Sequence, residues 1–132
     1  MKNTIMPDVS NVAGHFNVFP PKVENIDLMY NRLKYEYWIL GIADWKLFSV
    51  IDYREAYRTY ITRRIIIEAP PDIPADKLMI ELAIKRDWLI ITNDKFEDHK
   101  GVLVSESWIK LHRVPFEISE GKFIIHLPKS VE

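Results

Sequence analysis

The run Trp88-Leu89-Ile90-Ile91-Thr92-Asn93-Asp94-Lys95-Phe96-Glu97-Asp98-His99 decides how the rest of the chain is read. A short apolar segment breaks at once into polar and acidic residues. An uninterrupted apolar segment of this length suits a strand buried on both faces, as in a parallel sheet beneath helices. In open α/β sheets ligands gather at the carboxyl ends of the strands, which is where Asn93 and Asp94 fall. If a helix starts at Asp94, Asp98 lies one turn on and shares its face. Two carboxylates converging at a strand end repel each other unless a cation or a proton compensates. A plainer reading has Asp94 capping a helix and Asp98 facing solvent. The segment alone fits both.

Working back from Trp88, Leu78, Met79, Leu82 and Ala83 form the buried stripe of a helix, widened by Ile80 and Ile84. Pro74 suits its first position and puts Asp76 in its first turn. Ala69 to Pro74 is an extended, proline-rich connector after Ile65-Ile66-Ile67, a β-branched run that reads as a strand. Asp52 opens a helix to about Thr62, and Val23 to about Tyr37 carries helical spacing. A strand is expected around Trp38–Ala43, and a first strand from Thr4 that ends near Asp8. Forward of the opening run, Gly101–Val104 reads as a fifth strand and Ser107–His112 as a helical turn. Val114–Ile118 and Lys122–His126 flank Ser119-Glu120-Gly121, the signal of a hairpin with a three-residue loop. Strands alternating with helices predict an α/β fold, with a central, mainly parallel sheet covered on both faces. The hairpin is a β appendage.

A length of 132 residues is enough for one domain with a proper core and short for two, so residues 1–132 are expected to form a single domain. The 48% hydrophobic share is that of a packed protein rather than a disordered one. A net charge of −1 carries no overall basic field, so any nucleic-acid site must be a local patch. With no cysteine, thiol chemistry and cysteine-based zinc sites are excluded. No basic-then-apolar leader and no membrane-length apolar run is seen, so the expected location is cytoplasmic, with no membrane partner.

Four acids occupy comparable places in this layout. Asp8 and Asp94 end strands, Asp76 begins a helix after the third strand, and Asp98 follows Asp94. In a parallel sheet these strand ends share one edge. Mg2+ and Mn2+ prefer such oxygen ligands, and a cation there polarises phosphate and lowers the pKa of a bound water. The helix dipole favours Asp76 as the anion.

Three segments together resemble a known family. Asp8-Val9-Ser10-Asn11-Val12, Ala69-Pro70 with Pro74-Ala75-Asp76, and Thr92-Asn93-Asp94-Lys95-Phe96-Glu97-Asp98-His99 look like the PIN-like ribonuclease domain of the Zc3h12a/Regnase (NYN-related) type. Its pattern is roughly Asp-Gly-Ser-Asn-Val, then Ala-Asp-Glu opening a helix, then Ser-Asn-Asp-x-Phe-x-Asp. The resemblance runs from about Ile5 to Phe123 and also takes in Ile51-Asp52 and Val114-Pro115-Phe116. It implies a three-layer α/β/α sandwich and a metal-dependent endoribonuclease acting on single-stranded RNA. Asp8, Asp76, Asp94 and Asp98 match the acidic centre that holds Mg2+ or Mn2+. Asn11 matches the asparagine supporting the first acid, and Asn93 stands beside a ligand. The resemblance further implies in-line attack of water on the phosphodiester, leaving a 5′-phosphate and a 3′-hydroxyl. Two departures bear on activity. Val9 replaces a glycine, which removes easy access to positive φ. Lys77 replaces an acid, and it either contacts substrate phosphate or weakens metal binding.

RNA is held by cations and stacking surfaces. Lys95, Lys77, Lys100, Arg54 and Arg58 are the candidate RNA-binding residues, with Lys46, Arg63 and Arg64 also available. Trp45 and Trp108 suit core packing or a partner surface more than base stacking. His15, His99, His112 and His126 show no metal-ligand spacing; His99, close after Asp98, could assist the acids, with a surface role favoured. The alternatives are a catalytically weak PIN-like module that binds RNA or scaffolds, and a toxin-type ribonuclease paired with a protein inhibitor. A phosphoacceptor receiver is disfavoured, since nothing acidic precedes Asp8 on the first strand. Exposed aromatics and the hairpin edge offer surfaces for a homodimer, and the sequence leaves the oligomeric state open.

Overall fold

The computed structural model describes residues 2–128. In chain order they form β1 (Asn3–Pro7), α1 (Val9–Ala13), a 3-10 turn (His15–Asn17), α2 (Val23–Leu33), β2 (Tyr37–Ile39), β3 (Gly41–Ala43), α3 (Leu47–Val50) and α4 (Arg54–Thr62). Then follow β4 (Ile66–Glu68), α5 (Ala75–Arg86), β5 (Leu89–Ile91), α6 (Glu106–His112), β6 (Arg113–Val114), β7 (Phe116–Ser119) and β8 (Lys122–Ile125).

The central sheet is parallel. β1 lies between β2 and β5, and β6 pairs with the far side of β5. β3 pairs with β4 and meets the end of β1 through a parallel bridge between Asp8 and Ile42. The expected strand over Trp38–Ala43 is thus one path in two pieces. It turns at Leu40, whose N–H goes to Ile5 O, while the Gly41 N–H goes to Ile65 O. Adjacent residues on each strand point to opposite faces, and the two cores follow that alternation. Ile5, Ala43 and Ile91 face a core built with α1, α2 and α4. Met6, Ile42 and Ile90 face a second core with α5, α6 and Phe96. The result is the expected three-layer α/β/α sandwich, with β7–β8 as an antiparallel hairpin against the first core.

Several local expectations are corrected. α2 stops at Leu33 rather than near Tyr37, because Tyr37 is already paired in the sheet with Asn3. Asp52 does not open α4. Its carboxylate accepts the Val23 N–H at 2.8 Å and so caps α2, satisfying one of that helix's unpaired donors. Gly101–Val104 is no strand but a turn closed by a single bridge, Lys100 to Val104. The next sheet strand is instead β6, whose Arg113 and Val114 pair with Ile90 and Ile91. The hairpin turn is two residues, not three: Ser119 pairs with Lys122, and Glu120 and Gly121 both have positive φ (52° and 73°). Such turns match the strand twist.

No helix starts at Asp94. The Asp94 carboxylate accepts the Phe96 N–H at 2.9 Å, and Phe96 itself has φ 56°. An aspartate that binds the backbone two residues on makes a turn instead of a helix. Asp98 therefore reaches its place on a tight turn, not on a shared helical face.

Candidate active site

The carboxyl edge of the sheet gathers the residues singled out in the sequence. Asp8 follows β1 directly. Its N–H donates to Ile91 O at 2.8 Å, extending the β1–β5 ladder by one residue and fixing its backbone. It is also the N-cap of α1, accepting the Asn11 N–H at 3.3 Å. Its second oxygen accepts the Thr92 hydroxyl at 2.8 Å. The side chain is buried among these groups, at 8% exposure.

Burial pushes the Asp8 pKa up from 3.8 to about 6, against the opposing pull of the Thr92 and Asn11 hydrogen bonds. The charges of Asp94 and Asp76 push in the same direction as burial. Three of the four candidate acids are therefore close enough to repel. Residues 8, 76 and 94, far apart in the chain, share one electrostatic neighbourhood.

Thr92 organises the centre from the end of β5. While its hydroxyl donates to Asp8, the same oxygen accepts the Asp94 N–H at 3.0 Å. Asn11 reaches across from α1, where its Oδ1 accepts the Asn93 N–H at 2.8 Å. Asn93 in turn accepts the Phe116 N–H at 2.9 Å, tying this edge to β7. Both asparagines position backbone.

Asp76 stands in the first turn of α5, as its spacing after Pro74 predicted. One oxygen accepts the Lys77 N–H at 2.8 Å, and the other lies 2.9 Å from His99 Nε2. Asp98 is exposed on its turn and is not among the charges acting on Asp8. Among the described residues, no three His, Asp or Glu side chains converge closely enough to cage a metal. The donors are nonetheless all oxygens, and a buried carboxylate faces two like charges. That suits a hard divalent cation held by one or two carboxylates with several retained waters better than an all-protein cage.

The family model described as a Zc3h12a-like Ribonuclease NYN domain matches residues 1–129. The chain belongs to that family. Two solved structures share its fold, both of RNase P 2 (PRORP2) from Arabidopsis thaliana. One is titled nuclear proteinaceous RNase P 2 (17% identity, TM-score 0.77, 98% of this chain covered) and the other nuclear protein-only RNase P 2 (18%, 0.77, 97%). The NYN chain spans 30% of the length of each. No curated protein sequence matches it significantly.

The basic residues of this NYN domain divide by where they are held. Lys77 Nζ lies 3.9 Å from Glu81 along α5, and Lys100 Nζ 3.8 Å from Glu97. Arg54 donates to Ser49 O at 2.9 Å, and Arg58 lies over the Phe48 ring near Glu55. Both belong to α4, packed on α3 and β4, and neither is linked by hydrogen bonds to the acids. Lys95 is exposed next to Asp94.

The sequence reading favoured a surface role for His99 and did not single out Arg113. His99 is not a surface residue. Its side chain is 16% exposed, bonded to Asp76 and edge-on to Phe96. Arg113 donates to Thr92 O at 3.2 Å, placing a guanidinium beside the strand end that carries the acids. Neither has a local signal, since their partners lie 23 and 21 residues away. Trp108 stacks on His112 and packs against the second core, in keeping with the packing role favoured for it. No helix among the described residues is long and apolar enough to cross a membrane.

Proposed function

We propose that this chain is a divalent-metal-dependent endoribonuclease that hydrolyses single-stranded RNA at the Asp8–Asp76–Asp94 edge. The observation that carries the reading is the buried Asp8 carboxylate, raised toward pH 6 by desolvation and by two further acids at family-matched positions. No lysine or arginine pairs with Asp8, Asp76 or Asp94 among the described residues, so a bound cation is the natural compensation.

Asp8, Asp94 and Asp76 are the residues to hold Mg2+ or Mn2+, with Asp98 completing the set from its turn. When bound, the cation supplies Lewis-acid polarisation of the phosphate and an acidified water. The chain's own groups supply the geometry. Thr92 and the Asn11 N–H orient the Asp8 carboxylate, Asn11 fixes the Asn93 backbone, and His99 holds Asp76. Lys95 and Arg113 are the cations best placed to receive the RNA backbone at this edge, ahead of Arg54 and Arg58. Lys77 and Lys100, each near a glutamate, contribute less. In-line attack leaves a 5′-phosphate and a 3′-hydroxyl.

A catalytically weak RNA-binding module is the second reading. It is favoured by Lys77, which stands where the family carries an acid. Cleavage of a labelled single-stranded RNA with Mn2+, Mg2+ or EDTA separates the two, comparing the wild type with Asp94→Asn. Metal-dependent cutting lost in the variant supports the nuclease. Binding without cutting supports the module. Equal cutting by both proteins places the chemistry elsewhere.

A further inference from the structure

Four rings form a column from the first core to the surface. Phe123 and Phe116 are buried and stacked, with centroids 5.2 Å apart. The His15 ring lies 5.1 Å from Phe116, tilted by 46°, and Phe16 lies 4.1 Å from His15, tilted by 41°. Phe16 ends the column almost wholly in solvent, at 82% exposure. Its backbone is left-handed (φ 63°, ψ 25°), and Asn17 follows it there with φ 54°. A bulky non-glycine residue is uncommon in that region and is strained there. An exposed phenylalanine in this conformation gains little from burial to offset that strain. Strain without a packing return points toward function.

The column is tied to the acidic edge. The Phe116 N–H donates to Asn93 Oδ1, and Asn93 adjoins Asp94. The turn bearing Phe16 follows α1, which Asp8 caps. From Val9 to Val23 the chain has no acidic residue, and Lys22 supplies a positive charge. Burial lowers the His15 pKa, so its ring adds no charge at neutral pH. A polyanion approaching this turn meets rings and the Lys22 cation, and the Asp52 carboxylate beside Lys22 is engaged by the Val23 N–H.

We infer that Phe16 is a stacking plate for a nucleobase of the RNA strand whose phosphates lie on the acidic edge. The inference rests on the ribonuclease reading above and deepens it. A base is free to cap an aromatic column only when it has left its own stack, so the plate selects unpaired RNA. Base–aromatic stacking is tolerant of sequence because every base has a flat face. Phe16 touches substrate without touching the reacting atoms, so its loss is expressed in affinity.

The test uses Phe16→Gly and Phe16→Trp. Glycine accepts positive φ without strain, so a gain in thermal stability is expected together with a loss of RNA affinity. For a labelled single-stranded RNA, Phe16→Gly raises Kd in EDTA and KM in Mn2+ about tenfold, with the loss in KM rather than kcat. Phe16→Trp restores both, and binding of the annealed duplex does not respond to either variant. If the wild type cuts RNA and Phe16→Gly binds and cuts equally well, this inference alone is overturned. A lower melting temperature for Phe16→Gly assigns the ring to packing and also overturns it. A wild type that neither binds nor cuts RNA removes the ribonuclease reading, and this inference with it.

Discussion

Val9 lies directly over Gly41: a β-carbon at position 41 would stand 2.6 Å from Val9 Cγ2 and 3.3 Å from Ile66 Cγ1. Position 9 is therefore a buried helical residue and needs no positive φ, which removes the concern raised by the missing glycine. The space for the branched side chain comes from Gly41, on the strand beside Asp8. Valine is stiff at χ1 and cannot swing clear. Gly41→Ala is expected to destabilise by about 1–3 kcal/mol through overpacking. Val9→Ala added to Gly41→Ala should recover much of that loss. A denaturant double-mutant cycle with coupling near zero would show that the two side chains do not compete.

The buried Asp8 carboxylate carries a stability cost at neutral pH. Its folded pKa of about 6 exceeds the ordinary 3.8, so the native state holds the proton more tightly than the unfolded chain. Stability from this group is fully present below pH 4 and is lost as pH rises toward 6 and above. At about 1.4 kcal/mol per pH unit, the gap corresponds to about 3 kcal/mol at neutral pH. Asp8→Asn removes the charge and keeps the shape, with one amide oxygen left to accept from either the Asn11 N–H or the Thr92 hydroxyl. In EDTA it should melt higher than the wild type at pH 7.5, with the difference fading toward pH 4. Mn2+ should raise the wild-type melting temperature and leave the variant unmoved. Identical melting of the two proteins at pH 7.5 in EDTA would contradict the buried-charge account.

The parts of this fold legible in the sequence are those fixed by short-range rules. β5 and α5 follow from an apolar run and a proline-led stripe, and β1 and α2 from similar local patterns. Asp8, Asp76 and Asp94 could be placed on one edge because parallel strands end together. What stayed hidden depended on partners far along the chain. Asp52 looked like the start of α4 because its true recipient, the Val23 N–H, is 29 residues upstream. β6 was absorbed into the hairpin because its apolar pattern runs on into β7 across Pro115. Asp94 was read as opening a helix because aspartate favours both helix starts and turns, and only the Phe96 N–H decided between them. Asp98 lost its helical register with that change.

His99 should matter in proportion to its hold on Asp76. A hydrogen-bonded partner behind a metal ligand is typically worth 10–100-fold in metal affinity or activity. His99→Ala is expected to raise the Mn2+ concentration for half-maximal RNA cleavage by about tenfold. His99→Gln, which retains a side-chain donor, should recover part of it. Circular dichroism of both variants controls for the lost packing against Phe96. Unchanged cation dependence in a folded His99→Ala protein would make the pair a surface contact only.

Lys77 is the remaining departure from the family pattern, and its side chain leans toward Glu81 rather than over the acids. Its backbone N–H still serves the centre by donating to Asp76, a contact that any residue except proline preserves. Replacing the lysine therefore changes charge with little effect on local geometry. Lys77→Glu adds two negative charges' worth of attraction for a divalent cation near a solvent-exposed edge. With water and salt screening, about 1 kcal/mol is a reasonable scale, which is about fivefold in affinity. Lys77→Glu should tighten Mg2+ by that factor in a titration of cleavage or of thermal shift, and Lys77→Gln by less. The difference should shrink as salt is raised, because exposed charges are screened. If Lys77→Glu instead leaves cation affinity unchanged and raises the KM for RNA, Lys77 is a phosphate contact, and the departure from the family pattern serves substrate binding.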